Sequence, residues 1–212
     1  MFEFLRGKQR RSESRKVQAD NIFQRFSLGH GPIEQVFGSP FLIVAGTLGS
    51  PTQNMIIQNL VEKLRDEWKK VYFVECMWKK DTEVVAADIE KYHLVLVGDK
   101  ESNSLISRMA DHLPLRASGR SIDLEGRVFD GDQLGYIYIS PNPLNLLKQV
   151  VVIGMNQWSV ANKWQFYLPR VGVCDYFVFD LQGANPRLRD AGYFDDLWRR
   201  TNEIVHTSIP PH

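Results

Sequence analysis

The stretch Phe41-Leu-Ile-Val-Ala-Gly-Thr-Leu-Gly-Ser-Pro51 decides the reading of this chain. Five apolar residues run into a Gly/Ser loop. Met55, Ile56, Leu60, Leu64 and Trp68 then recur at spacings of three to four, so a helix over 52–69 buries one stripe. Ser50 or Thr52 is the expected N-cap, with Pro51 in the first turn, where a missing N–H costs nothing. A buried strand, a tight turn and a helix make the opening unit of an α/β sheet. The same turn can aim backbone N–H groups and a helix N-terminus at an anion.

Further strands and helices alternate downstream. Val71–Cys76, His93–Gly98, Gln149–Gly154 and Asp175–Asp180 read as buried strands. Helices are expected after Asp81 or Thr82, through Leu105, Ile106, Met109 and Leu113, near 157–166, and over 187–204. Between 115 and 140, Gly and Asp separate short apolar pieces such as Ile122-Asp-Leu124 and Gly135-Tyr-Ile-Tyr-Ile139, a pattern of short antiparallel strands. The expected fold is therefore α/β. It is a three-layer α/β/α sandwich on a mainly parallel, Rossmann-like sheet, with a small antiparallel β insert at about 115–140. Residues 1–27 read as a polar N-terminal arm or linker, 28–206 as a single α/β domain, and 207–212 as a tail.

Composition narrows the classes of function. The 212 residues are 43% hydrophobic and 24% charged with a net charge of +1, which gives no general reason to expect nucleic acid or anionic membrane as a partner. No apolar run reaches the length of a membrane span, and Phe2, Phe4 and Leu5 are too few for a signal peptide. The location is cytoplasmic if the chain is complete, and secreted or periplasmic if it is part of a larger esterase. Cys76 and Cys174 sit beside buried strands and read as two small core hydrophobes.

Catalytic templates fail. There is no G-x-S-x-G elbow, and His30, His93, His112, His206 and His212 form no metal-binding spacing, so no catalytic, metal or cofactor residue is assigned. Ligands of open α/β sheets bind beyond the carboxyl ends of the strands. That rim gives the candidate ligand-binding residues: Gly46, Thr47, Gly49, Ser50, Asp81, Gly98, Asn103, Asn156 and Asp180. The glycines and hydroxyls would supply donors to a small anionic or sugar ligand, and Asp81, Asn103 and Asn156 would orient it. The plainer roles are bends for the glycines and helix caps for Asp81 and Asn103.

Several phrases together carry a family likeness. They are Gly31-Pro-Ile33 with Phe37, Pro40-Phe-Leu-Ile-Val44 with Gly46-Thr47, and Lys80-Asp-Thr-Glu-Val84 with Asp88-Ile89. Leu94-Val-Leu-Val-Gly98 with Ser102-Asn103, Leu113-Pro114, Tyr138-Ile-Ser-Pro-Asn-Pro-Leu144 and Val150-Val-Val-Ile-Gly154 follow. Over about residues 28–182 the chain resembles the α/β domain C-terminal to the serine-hydrolase domain of large multi-domain bacterial esterases and prolyl-oligopeptidase-like proteins. In that family the catalytic serine belongs to the neighbouring domain. The resemblance implies a non-catalytic accessory domain that packs on a hydrolase domain or subunit. The hydrolase part is not in this sequence, so the chain is either a piece of a longer protein or a free-standing relative. Two other readings stand beside it: a hydrolase or transferase using Asp81 or Asp180 as general base, and a pure assembly module forming a homo-oligomer.

Overall fold

The first strand, β1 (Phe41–Ala45), is buried at all five positions, as a central strand covered on both faces must be. The computed structural model describes residues 32–163, 174–183, 185–195 and 197–201. After β1 comes α1 (Pro51–Tyr72), which is N-capped by Ser50 and buries Ile57, Leu60, Val61, Leu64 and Trp68. Met55, expected in the buried stripe, is exposed. Next in the chain are β2 (Trp78–Lys80), a 3-10 turn Asp81–Glu83, α2 (Ala86–Lys91), β3 (His93–Val97) and α3 (Ser104–Met109). Then follow β4 (Leu115–Ser118), β5 (Ser121–Leu124), β6 (Arg127–Asp130), β7 (Leu134–Asn142), β8 (Asn145–Met155), a 3-10 helix Trp158–Lys163, β9 (Tyr176–Asp180) and β10 (Arg187–Gly192).

Seven strands form one sheet in the order β10-β9-β7-β8-β3-β1-β2. β2, β1, β3 and β8 pair in parallel, β7 is antiparallel to both its neighbours, and β10 is antiparallel to β9. β4, β5 and β6 form a separate antiparallel sheet. One face of the large sheet presents Ile43, Val95, Ile137, Val151, Ile153 and Phe177 to α1 and to the 3-10 segments Ile33–Gly38 and Trp158–Lys163. The other face presents Leu42, Leu94, Leu96, Tyr136, Tyr138 and Val152 to α3 and to Leu115, Ile122, Leu124 and Phe129 of the small sheet.

This corrects the expected architecture. The molecule is a mixed α/β fold with a seven-stranded mixed sheet and a three-stranded antiparallel sheet, not a three-layer sandwich on a mainly parallel, Rossmann-like sheet. The reasons are local. After β3 the helical segment is only six residues, too short to cover a sheet face, so the three-stranded sheet shares that work. Gly135-Tyr-Ile-Tyr-Ile139 is buried on both faces, which forces β7 into the middle of the sheet between β8 and β9.

Two segments changed class. Val71–Cys76 is not a strand: α1 continues through Tyr72, whose ring lies 4.3 Å from that of Trp68, and the Phe73 N–H closes the helix on the Lys69 carbonyl. The β propensity of Val-Tyr-Phe-Val loses to a helix already in phase with its buried face. The expected terminal helix over 187–204 is β10 across Arg187–Gly192, with Arg187 and Arg189 exposed and Leu188 and Asp190 half-buried, a period of two. The arm 1–27 and the tail 207–212 lie outside the described residues, as do 28–31, 164–173 and 202–206 of the expected domain. Cys76 and Cys174 are buried free thiols. No described helix is long and apolar enough to cross a membrane.

His93 gives this fold a pH dependence. It opens β3, and its Nδ1 accepts the Gln149 N–H at 2.9 Å, which requires an unprotonated nitrogen. Burial, helped by Lys148, holds its pKa below the ordinary 6.5. The unfolded chain therefore takes up a proton before the folded one does. This contribution to stability is present above about pH 6.5 and is lost as pH falls through the depressed folded value. Urea midpoints measured between pH 7 and pH 5 are expected to fall, and His93→Asn, which keeps an acceptor, to flatten that slope.

Candidate functional site

Topology marks one crevice as the place to look. The chain leaves β1 toward the α1 face of the sheet and leaves β3 toward the α3 face. Adjacent parallel strands whose connections diverge open a crevice at their carboxyl ends, and ligands of α/β sheets bind there. Gly46 and Gly98 directly follow β1 and β3 at its lip.

The crevice is filled by the chain itself. Asn103, fully buried, caps α3 by accepting from Leu105 N at 3.0 Å and Ile106 N at 3.3 Å. Its amide nitrogen reaches back to the carbonyls of Val44 and Val97, at 3.4 and 3.3 Å, joining the ends of β1 and β3. The Ser102 carbonyl accepts the Leu48 N–H at 2.8 Å. A Cβ on Gly46 would lie 2.5 Å from that same carbonyl oxygen, so the loop needs glycine to admit its own neighbour rather than a ligand. At Gly98, φ is +145°, and a Cβ there would meet Asn103 at 2.9 Å.

Asp81 is the second plug. It is only 3% exposed and lies at the end of β2. Its Oδ1 accepts from the Thr47 hydroxyl at 2.5 Å and from Thr82 N at 3.0 Å, and its Oδ2 accepts from Ser104 N at 2.6 Å. One carboxylate thus ties the β1–α1 loop, the end of β2 and the first turn of α3. Of the expected cradle donors, the Thr47 hydroxyl is already taken by this carboxylate and the Gly46 N–H by the Val97 carbonyl.

Asp99 is a hub that the sequence reading passed over. Its Oδ1 accepts from Ser102 N, the Ser102 hydroxyl and Glu101 N; its Oδ2 accepts from Gln53 Nε2 at 3.1 Å and from the Trp158 indole N–H. The Asp-x-x-Ser spacing was the available signal for its loop contacts, because such side chains bond locally to backbone N–H groups. Gln53 and Trp158 are far away in sequence and left no trace there.

The nine candidates do not form one site. Gly46, Thr47, Asp81, Gly98 and Asn103 converge on the β1/β3 crevice. Gly49 and Ser50 lie at the start of α1, where Ser50 Oγ accepts Gln53 N at 3.2 Å. Asn156 pins the β6–β7 turn through Leu134 N and the Gly131 carbonyl. Asp180 lies four strands from β1, roughly 19 Å at the usual strand spacing, and contacts Gln182 N and Arg189. Beside the plug on this rim is a cleft of about 360 Å3, lined by Thr47, Asn54, Gln58, Trp78, Lys80 and Thr82. Among the described residues, no three His, Cys, Asp or Glu side chains are placed to hold a metal ion.

Neither a known protein family, nor a curated protein, nor a solved structure matches this chain.

Proposed function

We propose that this chain is a non-catalytic accessory module that packs on a partner domain, with the apolar segment 71–77 as its contact surface. The observation that carries this reading is Phe73, which is 91% exposed and held at φ +58°. The left-handed conformation disfavours a bulky residue by roughly 1 kcal/mol, and helices that end this way usually use Gly or Asn. Full exposure of the ring adds a second cost. Val71, Tyr72, Val74 and Met77 are exposed around it, at the start of the edge strand β2. Together they present on the order of 500 Å2 of apolar surface, the range in which a patch on a monomer marks an interaction site.

The partner that the family resemblance implies is a serine-hydrolase domain. The filled crevice supports the non-catalytic part of the reading, because Asp81 is engaged on both oxygens and hidden from any substrate. The small anionic or sugar ligand is then held, if anywhere on this rim, in the cleft beside the plug.

Phe73→Asn tests the reading on the isolated chain. Asn tolerates the left-handed conformation, so thermal stability is expected to hold or rise by about 0.5 kcal/mol. A fall of several kcal/mol, as for a packed aromatic, would show that Phe73 serves the fold and would sink the proposal. No turnover is expected on ester and phosphate-ester panels. Turnover that disappears in Asp81→Asn would establish the enzyme reading instead.

A further inference from the structure

A cleft of about 510 Å3 lies away from the rim, between residues 111–114, β4, the β5–β6 turn, the end of β7 with its turn into β8, and residues 197–199. Its volume is that of a small-molecule pocket. Pro114, Pro141, Pro143, Leu146 and the ring of Trp198 give it rigid apolar walls. Ser140 lines it from β7 and is 3% exposed. A hydroxyl that lines a cleft can both donate to and accept from a ligand atom.

Charges of both signs stand at the mouth. Arg116 projects from β4 and makes no salt bridge among the described residues; its partner across the ladder is Asp123. Glu125 follows β5, and burial together with Asp123 raises its carboxyl above the ordinary value, while Arg116 opposes that rise. His112 and Asp111 lie on the same wall, and Arg199 is committed to Asp195. Glu125 and Trp198 are two of the three described non-glycine residues with positive φ, at +49° and +59°. Backbone held in such conformations concentrates at ligand clamps.

We propose that this cleft binds a small zwitterion with an apolar body, such as a free apolar amino acid. The carboxylate faces Arg116, the ammonium faces Glu125, the body lies against Trp198, Leu146 and the prolines, and the Ser140 hydroxyl bonds the polar end. A plain anion would leave Glu125 opposed, and a plain cation would leave Arg116 opposed. The site is separate from segment 71–77, so it stands or falls independently of the accessory-module reading.

The test is a titration of the isotope-labelled chain followed by amide and indole NMR shifts, with three probes: L-phenylalanine, phenylacetate, which lacks the amine, and phenethylamine, which lacks the carboxylate. Saturable shifts at Ser140 and the Trp198 indole are expected, with L-phenylalanine binding at least tenfold tighter than either analogue, the scale of one charge-assisted contact. Arg116→Gln should remove the advantage over phenethylamine, and Glu125→Gln the advantage over phenylacetate. Both side chains are exposed, and unchanged melting of the variants keeps folding out of the comparison. No saturable shift at tens of millimolar, equal binding of the three probes, or full preference retained in Arg116→Gln would overturn the proposal.

Discussion

Asp81→Ala is expected to destabilise the chain by about 4 kcal/mol, a large part of the 5–15 kcal/mol that holds a domain folded. The carboxylate is buried and accepts three hydrogen bonds, two of them from backbone N–H groups on different elements. Bonds to a charged acceptor contribute about 1.5–3 kcal/mol each, and removing the acceptor leaves the buried donors without a partner. The loss falls at the junction of the β1–α1 loop, β2 and α3, so unfolding there frees the edge of the sheet as well as the crevice. Asp81→Asn keeps one acceptor oxygen and should cost about half as much. Chemical denaturation of the three proteins checks the order. A neutral Asp81→Ala would mean that the carboxylate is not a brace, and would return it to the list of reactive groups.

Asn103→Ala is the second large effect, with an expected loss of about 3 kcal/mol. About 1–2 kcal/mol of this is the α3 cap, since Leu105 N and Ile106 N lose their shared acceptor. The rest is the amide's link to the Val44 and Val97 carbonyls and the small cavity left in a fully buried position. For a chain of this size the melting temperature should drop by roughly 10 °C. Asn103→Ser keeps the cap and loses the link, so it should fall between the two. Asn103→Asp keeps the cap but turns an acceptor toward two carbonyls, and should be no better than alanine. A serine variant as stable as wild type would show that the strand-end link carries nothing.

The parts of this molecule that were legible in its sequence are those governed by local pattern. Phe41–Ala45 was readable as a strand because five apolar residues precede a glycine loop. α1 was readable because its buried positions recur at helical spacing, although the stripe is centred on Ile57 and Val61 rather than Met55 and Ile56. The convergence of Gly46, Thr47, Asp81, Gly98 and Asn103 followed from the parallel order of β2, β1 and β3. What those residues do there was not legible. Whether Asp81 faces a ligand or plugs the crevice depends on Ser104 N, twenty-three residues away. The sheet was misjudged where non-local pairing decides. Nothing near Gly135–Ile139 says that β7 will run between β8 and β9 against both, and nothing near Arg187–Gly192 says that β9 will offer an edge to pair with. The cleft at Ser140 had no sequence signal at all, because its walls come from residues 111–114, β4, the β5–β6 turn, β7, β8 and the segment after β10.

The account rests on segment 71–77 being a surface for another protein domain. The direct measurement is site-specific photocrosslinking in the native host, with benzoylphenylalanine placed at position 73 and, as a control, at the exposed position 100. The predicted result is a single covalent adduct from position 73, absent from position 100, whose second component by peptide mass is a domain carrying a Gly-x-Ser-x-Gly elbow. No adduct at position 73, or one formed only with a second copy of this chain, would contradict it.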